Sequence, residues 1–532
     1  MRKSHSIIFL TVIFFSGILS VFARSDKEIM QAMRDELQRS MDNLSIESLE
    51  KPYYIEYKLH IREINNIRAV LGAVQESNYM ELANLDVTVR VGDYEFDNTN
   101  FFDVGLSFFG SSDDEEKFRN RNVPIELDYS TLRRELWLAT DAAYKQASEL
   151  LAKKEATIKN RARRDTTHDF LKLEPVKRID TVSFREFPRE EFEDVIKKLS
   201  GVFRDYPEIN NSTAGMEYIP EITYYVNSEG REYIKTDFFT GLEVLGYTQA
   251  EDGMPLVNFY TAYGNTPDQL PKPDSLMNGV RNIADKLIKL RESEYLMDAY
   301  SGPIMFEGQA AAELFAQVFA PKLVAQRSPL TEQGMQDEGQ HAAFQTKVGG
   351  RVLPEFLSVD AIPSKEKYNG VLLTGQMDFD DEGVESEDLD LVKDGYLKTL
   401  FSSRVPTKRI RNTNGHMRNG APMFSTLLMT SNKEHTKTDD QLKKRMMELC
   451  NARELPFGLI VRKAVNQNIM FTTLFRLTYG NYPVPRGNGK MSLIEVYKIY
   501  PDGREELIRG TETNGLTVQS FKHILQAGEY NY

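Results

Sequence analysis

Three groups of residues have types and spacings that could do chemistry. The first is Tyr300–Phe315, where a strand-like run crosses Gly302-Pro303 and enters an alanine-rich helix, with Glu307 at the point of entry. The helix dipole favours a negative charge there, and such a carboxylate could act as a general base. The second is the acidic run Asp380-Asp381-Glu382-Gly383. The third is Arg404 with Asn414-Gly415-His416-Met417-Arg418. Gathered in one place, paired carboxylates, a histidine and two arginines could perform acid–base hydrolysis. A plainer reading competes with each. Asp380–Gly383 is also the pattern of a hairpin turn, and Asn414–Arg418 that of a loop held by its own side chains.

Other chemistries find less support. Cys450 is the only cysteine, so no intramolecular disulfide can form. It shares one face of a predicted 438–452 helix with Leu442, Met446 and Leu449, which makes it a small core residue. No Gly-x-Ser-x-Gly elbow, Walker loop or dinucleotide fingerprint occurs. Zinc hydrolases place two histidines on one helix face. The seven histidines here are His5, His60, His168, His341, His416, His435 and His523, and no two share a predicted element. Glu338 and His341 have a metal-like i, i+3 spacing, but they stand among glycines and polar residues and read as loop. The run Asp113–Glu116 lacks the spaced oxygens of a calcium loop. No metal or other cofactor is expected.

The elements that must hold these residues can be read from periodicity. Ile29, Met33, Leu37 and Met41 recur four apart and predict a helix over 25–44. Strands are predicted at Tyr53–Leu59, Ile67–Val74 and Leu85–Val91. Leu132, Leu136, Ala139, Ala143, Ala147 and Leu150 make an apolar stripe along a helix from Thr131 to Ile158, with Trp137 packed beside it. Lys153-Lys154 and Arg161–Arg164 read as a solvated helix end and linker. Helices are also predicted at 189–199 and at 276–293, the latter capped by Asp274 or Ser275. Between them lie strands 218–227 and 232–239, joined by Ser228-Glu229-Gly230. After Tyr300, short strands dominate (370–374, 390–392, 397–401, 459–461, 474–479, 494–500), with helices only at 307–319 and 438–452. The expectation is an α+β fold of two domains, mixed α/β over 24–295 and β-rich over 296–532.

Arg2 and Lys3 precede an apolar run from Ile7 to Val21 that ends in Val21-Phe22-Ala23. That layout is a secretory signal over residues 1–23. The run is shorter than the roughly 20 residues of a spanning helix, so an exported, periplasmic chain that does not span the membrane is expected. The net charge is −13 with no basic stripe, which argues against nucleic acid as a partner.

An ordered series of segments carries a family resemblance: Arg90–Tyr94, Tyr225–Gly230, Tyr300–Phe315, Gly350–Pro354, Asp380–Val384, Leu391–Lys398, Arg404 and Asn414–Arg418. Together they resemble the TldD/PmbA metallopeptidase family (modulator of DNA gyrase-like), in its exported branch. That resemblance implies a two-domain TldD/PmbA-like fold and a His-Glu-x-x-x-His zinc helix after the strand. Phe306 and Ala311 stand at the histidine positions, and only Glu307 matches. The family's third ligand is a cysteine in a glycine-rich segment near the C-terminus. This chain ends at Tyr532, short of that segment, and Cys450 lies in another element. Zinc is the family's cofactor, yet a phenyl ring and a methyl group cannot bind it. The resemblance further implies a homodimer or a heterodimer with a TldD-type partner, and peptides as substrates. The chain is therefore expected to be a non-zinc, PmbA-like subunit or pseudoenzyme in peptide proteolysis. Alternatives are a hydrolase with a relocated acid–base site around Glu307, with Asp380, Asp381, Glu382, Arg404, His416 and Arg418 nearby, and a periplasmic peptide-binding protein.

Overall fold

The computed structural model describes residues 26–46, 49–102, 117–159, 166–180, 186–331, 343–465, 491–529 and 532. The expected export signal, the acidic run 113–116, the arginines 161–164, the Glu338 and His341 pair and the strand expected at 474–479 lie outside them.

Alternation along one strand organises the N-terminal half. In β1 (Pro52–Val70) the odd residues Ile55, Tyr57, Leu59 and Ile61 are fully buried, while Glu56, Lys58, His60 and Arg62 occupy the opposite face. A strand turns successive side chains to opposite sides, so this period of two gives one apolar and one polar face. β1 continues through Leu71-Gly72, with φ of 46° and 80°, into β2 (Ala73–Val91). Positive φ at both positions suits the twist of a tight hairpin. The strand expected at Ile67–Val74 is thus the hairpin tip; apolar residues on both sides of the turn make the run look continuous.

The short strands β3 (Phe101–Phe102), β4 (Arg121–Val123) and β5 (Lys177–Ile179) are followed by β6 (Asn211–Asn227), β7 (Glu232–Gln249) and β8 (Pro255–Gly264). A seven-stranded sheet has the order β4-β2-β1-β6-β7-β5, with β8 also paired to β7. The β6–β7 hairpin turns at Ser228-Glu229-Gly230 as expected, with Gly230 at φ 79°. Helices α1 (Asp26–Asn43) and α2 (Tyr129–Lys159) cover the apolar face around Ile55–Ile61. Helices α3 (Arg189–Gly201) and α4 (Pro273–Glu292) cover its extension around Ile67, Ala214 and Val244. Fully burying each large apolar side chain in these layers stabilises by about 1.5–3 kcal/mol.

Several local expectations are corrected. The α2 stripe closes on buried Leu151 rather than Leu150. Trp137 is 47% exposed, because one residue beyond Leu136 turns it about 100° off the stripe. Lys154 is not solvated. Its ammonium is buried and donates to Asp97 O at 2.7 Å, Thr99 O at 2.6 Å and Asp169 Oδ2 at 2.6 Å. Helix α4 is capped by neither Asp274 nor Ser275. It starts with Pro273 at its first position and Lys272 at the cap, where proline's fixed φ is already helical.

Beyond Ser293, β9 (Glu294–Tyr295) runs parallel to Glu505–Arg509, and β10 (Ile304–Phe306) runs parallel to Gly458–Ala464. The latter strand pairs with Met491–Ile499 in the same sheet. A second sheet centres on Leu357–Ala361, between Leu389–Lys393 and Leu427–Ser431. The helix expected at 307–319 is a seven-residue α5 (Gly308–Leu314) followed by a wider π-type turn, Phe315–Phe319. Helix α6 (Asp439–Asn451) is capped by Thr438, whose side chain accepts from Gln441 N. It buries Met446 and Cys450 against Ile460 and Ile499, so Cys450 is a core residue. Ala310 of α5 packs on the other face, against Leu459 and Val461.

Candidate functional site

The polar face of the N-terminal sheet is partly covered. Segments 374–382 and 417–420 come over it and border a cavity of about 1030 Å³ that stays partly open to solvent. Its floor is the even-numbered series of β1, Tyr54, Glu56, Lys58, His60 and Arg62, with Tyr233 and Lys235 from β7 beside it. Sequence reasoning singled out none of these residues. The signal that could have found them was the clean alternation of charged and apolar residues along β1.

The floor is a network of satisfied charges. Glu56 accepts hydrogen bonds from Tyr54 OH at 2.6 Å and Tyr225 OH at 2.8 Å, and it pairs with Lys58 at 2.9 Å. Burial works to raise the Glu56 carboxyl, but Lys58 and the two hydroxyls outweigh it and hold it below the usual range. Burial likewise works against the Lys58 ammonium, and the charges of Glu56 and Asp381 raise it in spite of that. His60 Nδ1 lies 2.8 Å from Glu221, which also pairs with Arg62. Burial opposes ionisation of Glu221, yet His60 and Arg62 bring it down to about 2.

The structure brings Asp380, Asp381, Glu382, Arg404, Asn414, His416 and Arg418 into one neighbourhood. Asp380 forms a turn with its own backbone. Its Oδ1 accepts from Glu382 N and Val384 N, both at 2.9 Å, and its Oδ2 accepts from Met417 N at 2.9 Å. Asp381 Oδ2 accepts from Asn419 N at 2.7 Å. Among the described residues, buried Glu382 accepts only from Arg404 N, at 3.2 Å. Burial pushes Asp380 up to about 6 and Glu382 to about 7. Three N–H donors stabilise the Asp380 anion and, among the described residues, one serves Glu382, so the charged form is better supported on Asp380.

Arg404 is fully buried. Its guanidinium donates to Leu171 O at 2.6 and 2.9 Å, to Tyr54 OH at 3.2 Å and to both oxygens of Glu229 at 2.7 Å. It also lies 3.9 Å from the centre of the Phe170 ring. Asn414 is a bracket: Nδ2 donates to Leu400 O at 2.9 Å and Oδ1 accepts from Ser402 N at 2.8 Å. His416 is fully buried, with Nδ1 2.8 Å from Asn414 O and Nε2 3.4 Å from Ser425 Oγ. Burial lowers it to about 4, which keeps it neutral. It does not line the cavity, so it cannot act there. Arg418 does line it, with Nε 3.0 Å from Met377 Sδ.

Glu307 is placed elsewhere. It caps α5 from an extended backbone, φ −114° and ψ 148°, and its side chain bonds no helix N–H. Arg462 Nε donates to it at 2.7 Å, while the same guanidinium grips Glu505, which pairs in turn with Lys443. Phe306 packs beside Ala310 and Val461, and Ala311 is exposed. These residues do not fit a zinc ion. The histidine positions hold a ring and a methyl group, and the remaining carboxylate is already neutralised by a guanidinium. Among the described residues, no group of three or more metal-ligating side chains occurs.

Residues 300–476 match the family model for the PmbA/TldA metallopeptidase C-terminal domain. No curated protein matches the chain. Among solved structures it is similar to a proposed modulator of a DNA gyrase from Thermotoga maritima MSB8, at 13% identity and TM-score 0.57, with 91% of each chain covered. A proposed modulator of DNA gyrase from Bacteroides thetaiotaomicron VPI-5482 gives 12% identity and TM-score 0.56, over 95% of this chain and 94% of that one. TldE from Thermococcus kodakarensis gives 12% and 0.50, over 90% of each. The C-terminal match runs through β10 and α5, so residues 300–476 carry the PmbA/TldA metallopeptidase C-terminal domain, and the fold of these solved structures is shared along nearly the whole chain.

Proposed function

We propose that this chain is a non-zinc, PmbA-like subunit that handles peptides and works with a TldD-type partner carrying the intact histidine motif. The observation that carries this reading is the 2.7 Å bond from Arg462 to Glu307, between Phe306 and Ala311. A guanidinium takes the carboxylate that a metal-activated water would need, which also removes Glu307 as a free general base. The basic, apolar and small-residue order of residues 1–23 supports export to the periplasm. The test is metal analysis and chromatography of the purified mature protein, alone and mixed with a TldD-type protein. The expected result is no zinc in this chain alone, a mixed dimer, and peptidase activity only in the mixture. Stoichiometric zinc in the isolated chain, or a homodimer that ignores every TldD-type protein offered, would sink the reading.

A second reading, peptide binding without turnover by this chain, is favoured by the cavity itself. Volumes of roughly 300–1,000 Å³ suit small ligands, and this one is at the upper end, lined by rings and by charges of both signs.

A further inference from the structure

Helices α1 and α2 bury their apolar faces on the N-terminal sheet, on the side away from the cavity. Their outer faces leave a shallow groove of about 350 Å³, open to solvent. Glu36 and Arg39 of α1 line it, with Tyr129, Arg133, Arg134 and Trp137 of α2. The α2 side chains fall three and four positions apart, so they form one stripe along the helix.

Three of the four charged side chains in the lining are arginines, in a chain whose net charge is −13. The fourth, Glu36, is only 2% exposed and is shared by two of them. Arg39 Nε donates to it at 2.9 Å and Arg133 Nε at 3.2 Å. Arg134 is 72% exposed and meets Glu135 at 3.3 Å, but Glu135 already holds buried Arg121 at 2.7 Å. In both places one carboxylate serves two guanidiniums. The next carboxylates do not line the groove and are engaged elsewhere. Asp35 accepts from the Tyr129 hydroxyl at 2.7 Å, and Asp128 accepts from Thr131 N at 2.6 Å in the first turn of α2.

Trp137 completes the stripe. It is the only tryptophan of the chain, it is half exposed, and its indole N–H donates to no group among the described residues. A tryptophan normally buries its ring and satisfies its N–H. One left open beside guanidiniums has the composition of a binding surface. The groove volume falls in the small-ligand range of roughly 300–1,000 Å³. Its seven lining residues are few beside the roughly 20–30 a side of a stable protein interface.

An occupant that suits this lining brings an anionic group for the arginines, a weakly polar ring face for the indole, and acceptors for the indole N–H and the Ser130 hydroxyl. A pyranose bearing an acid group has all three. Its axial C–H groups carry the slight positive charge that the negative indole face attracts. Its hydroxyls accept hydrogen bonds, and a carboxylate or phosphate matches the guanidinium fork. We propose that this groove binds an anionic monosaccharide unit, a hexose ring carrying a carboxylate or a phosphate, with the ring on Trp137 and the acid group at Arg133 and Arg134. The site is independent of the subunit reading above.

Trp137 fluorescence reports occupancy directly, because no other tryptophan contributes. The purified protein is titrated with glucuronate, glucose 6-phosphate, glucose, inorganic phosphate and tetraglutamate. Saturable quenching is expected with at least one of the first two, and glucose and phosphate should each bind at least about 10-fold more weakly. A response to glucuronate alone assigns the acid group as a carboxylate, and a response to glucose 6-phosphate alone assigns it as a phosphate. Arg134→Gln, on an exposed side chain, should weaken the anionic sugar about 10-fold with unchanged circular dichroism. Trp137→Ala, followed by calorimetry, should weaken it by a similar factor. No saturable change with either anionic sugar, equal affinity for glucose or phosphate, or full affinity in Arg134→Gln would overturn the proposal. Tighter binding of tetraglutamate than of either sugar would overturn it too, and would make the groove a dock for an acidic chain segment.

Discussion

At the residue scale, Arg404 and Glu229 are the charges with most to lose. Both side chains are essentially inaccessible, 0% and 4% exposed, and are joined by two 2.7 Å bonds. Removing one partner of such a pair strands a buried charge and costs roughly 3–5 kcal/mol. Arg404→Met should therefore lower the denaturant midpoint sharply, and Arg404→Met with Glu229→Gln should recover a large part of the loss. Simple addition of the two single effects would mean the ion pair is not the cause. His416 gives a pH-dependent counterpart. Its folded value of about 4 lies below the ordinary 6.5, so stability is complete above 6.5 and is lost as pH falls from there toward 4. The loss is roughly 3 kcal/mol. Glu382 acts in the opposite sense. Raised to about 7 by burial, with Arg404 and Lys58 lowering it and Asp380 and Glu56 raising it, it favours the folded state as pH falls from 7 toward 4.5. The two effects offset each other in the native protein. His416→Asn should unmask the second, so that the variant gains stability relative to the native chain between pH 6.5 and 5. Parallel pH–stability curves for the two proteins would refute this assignment.

At the element scale, the entry to α5 combines one intact piece and two losses. Placing Phe306→His and Ala311→His on the chain restores the histidines, but Arg462 still occupies Glu307. That double variant is expected to bind zinc weakly at best, and adding Arg462→Met should strengthen it by removing a positive charge from beside the metal position and leaving Glu307 anionic. Metal titration of the two variants checks this, and equal affinity would show that the Arg462 charge does not act on the metal position. The strand-to-helix passage, the acidic hairpin and the bracket at Asn414 were all legible in sequence, because glycine, proline and Asx residues mark turns through local chemistry. What was not legible arises from pairing between distant elements. Nothing in the spacing of Glu307 announces Arg462, which reaches it from a neighbouring strand 155 positions later. Nor does the β1 alternation say that its polar face will be partly covered. A half-buried strand facing water has the same period of two. Lys154 shows the same limit, since a lysine in a basic run reads as solvated until Asp169 folds against it.

At the scale of the whole molecule, the N-terminal sheet and the C-terminal strands are joined through buried polar contacts as well as apolar packing. Arg231 donates to Glu382 O and Gly383 O across the cavity wall, and Arg404 reaches back to Leu171 and Glu229. At the far side, Glu495 holds Lys286 at 2.5 Å and accepts from Asn258 Nδ2 at 3.2 Å, while Lys463 donates to Asn258 Oδ1 at 2.8 Å. Burial pushes the Lys463 ammonium down to about 8, against the pull of Glu495. Separating the halves would expose Val465 and Ile494, which pack into the same core as α3 and α4, and would break each of these charged contacts. Interfaces of this kind couple domains, unlike the small polar contacts that let domains move independently. The chain is therefore expected to unfold in one cooperative step, with calorimetric and van't Hoff enthalpies equal. Glu495→Gln removes the shared anion from two lysines and should lower the midpoint of that single transition by the same amount whichever half is monitored. Fluorescence of Trp137 reports on α2, and amide exchange in 491–499 reports on the C-terminal sheet. If the two probes give separate midpoints in the native protein, or if Glu495→Gln moves only one of them, the halves fold independently and the cavity between them is free to open.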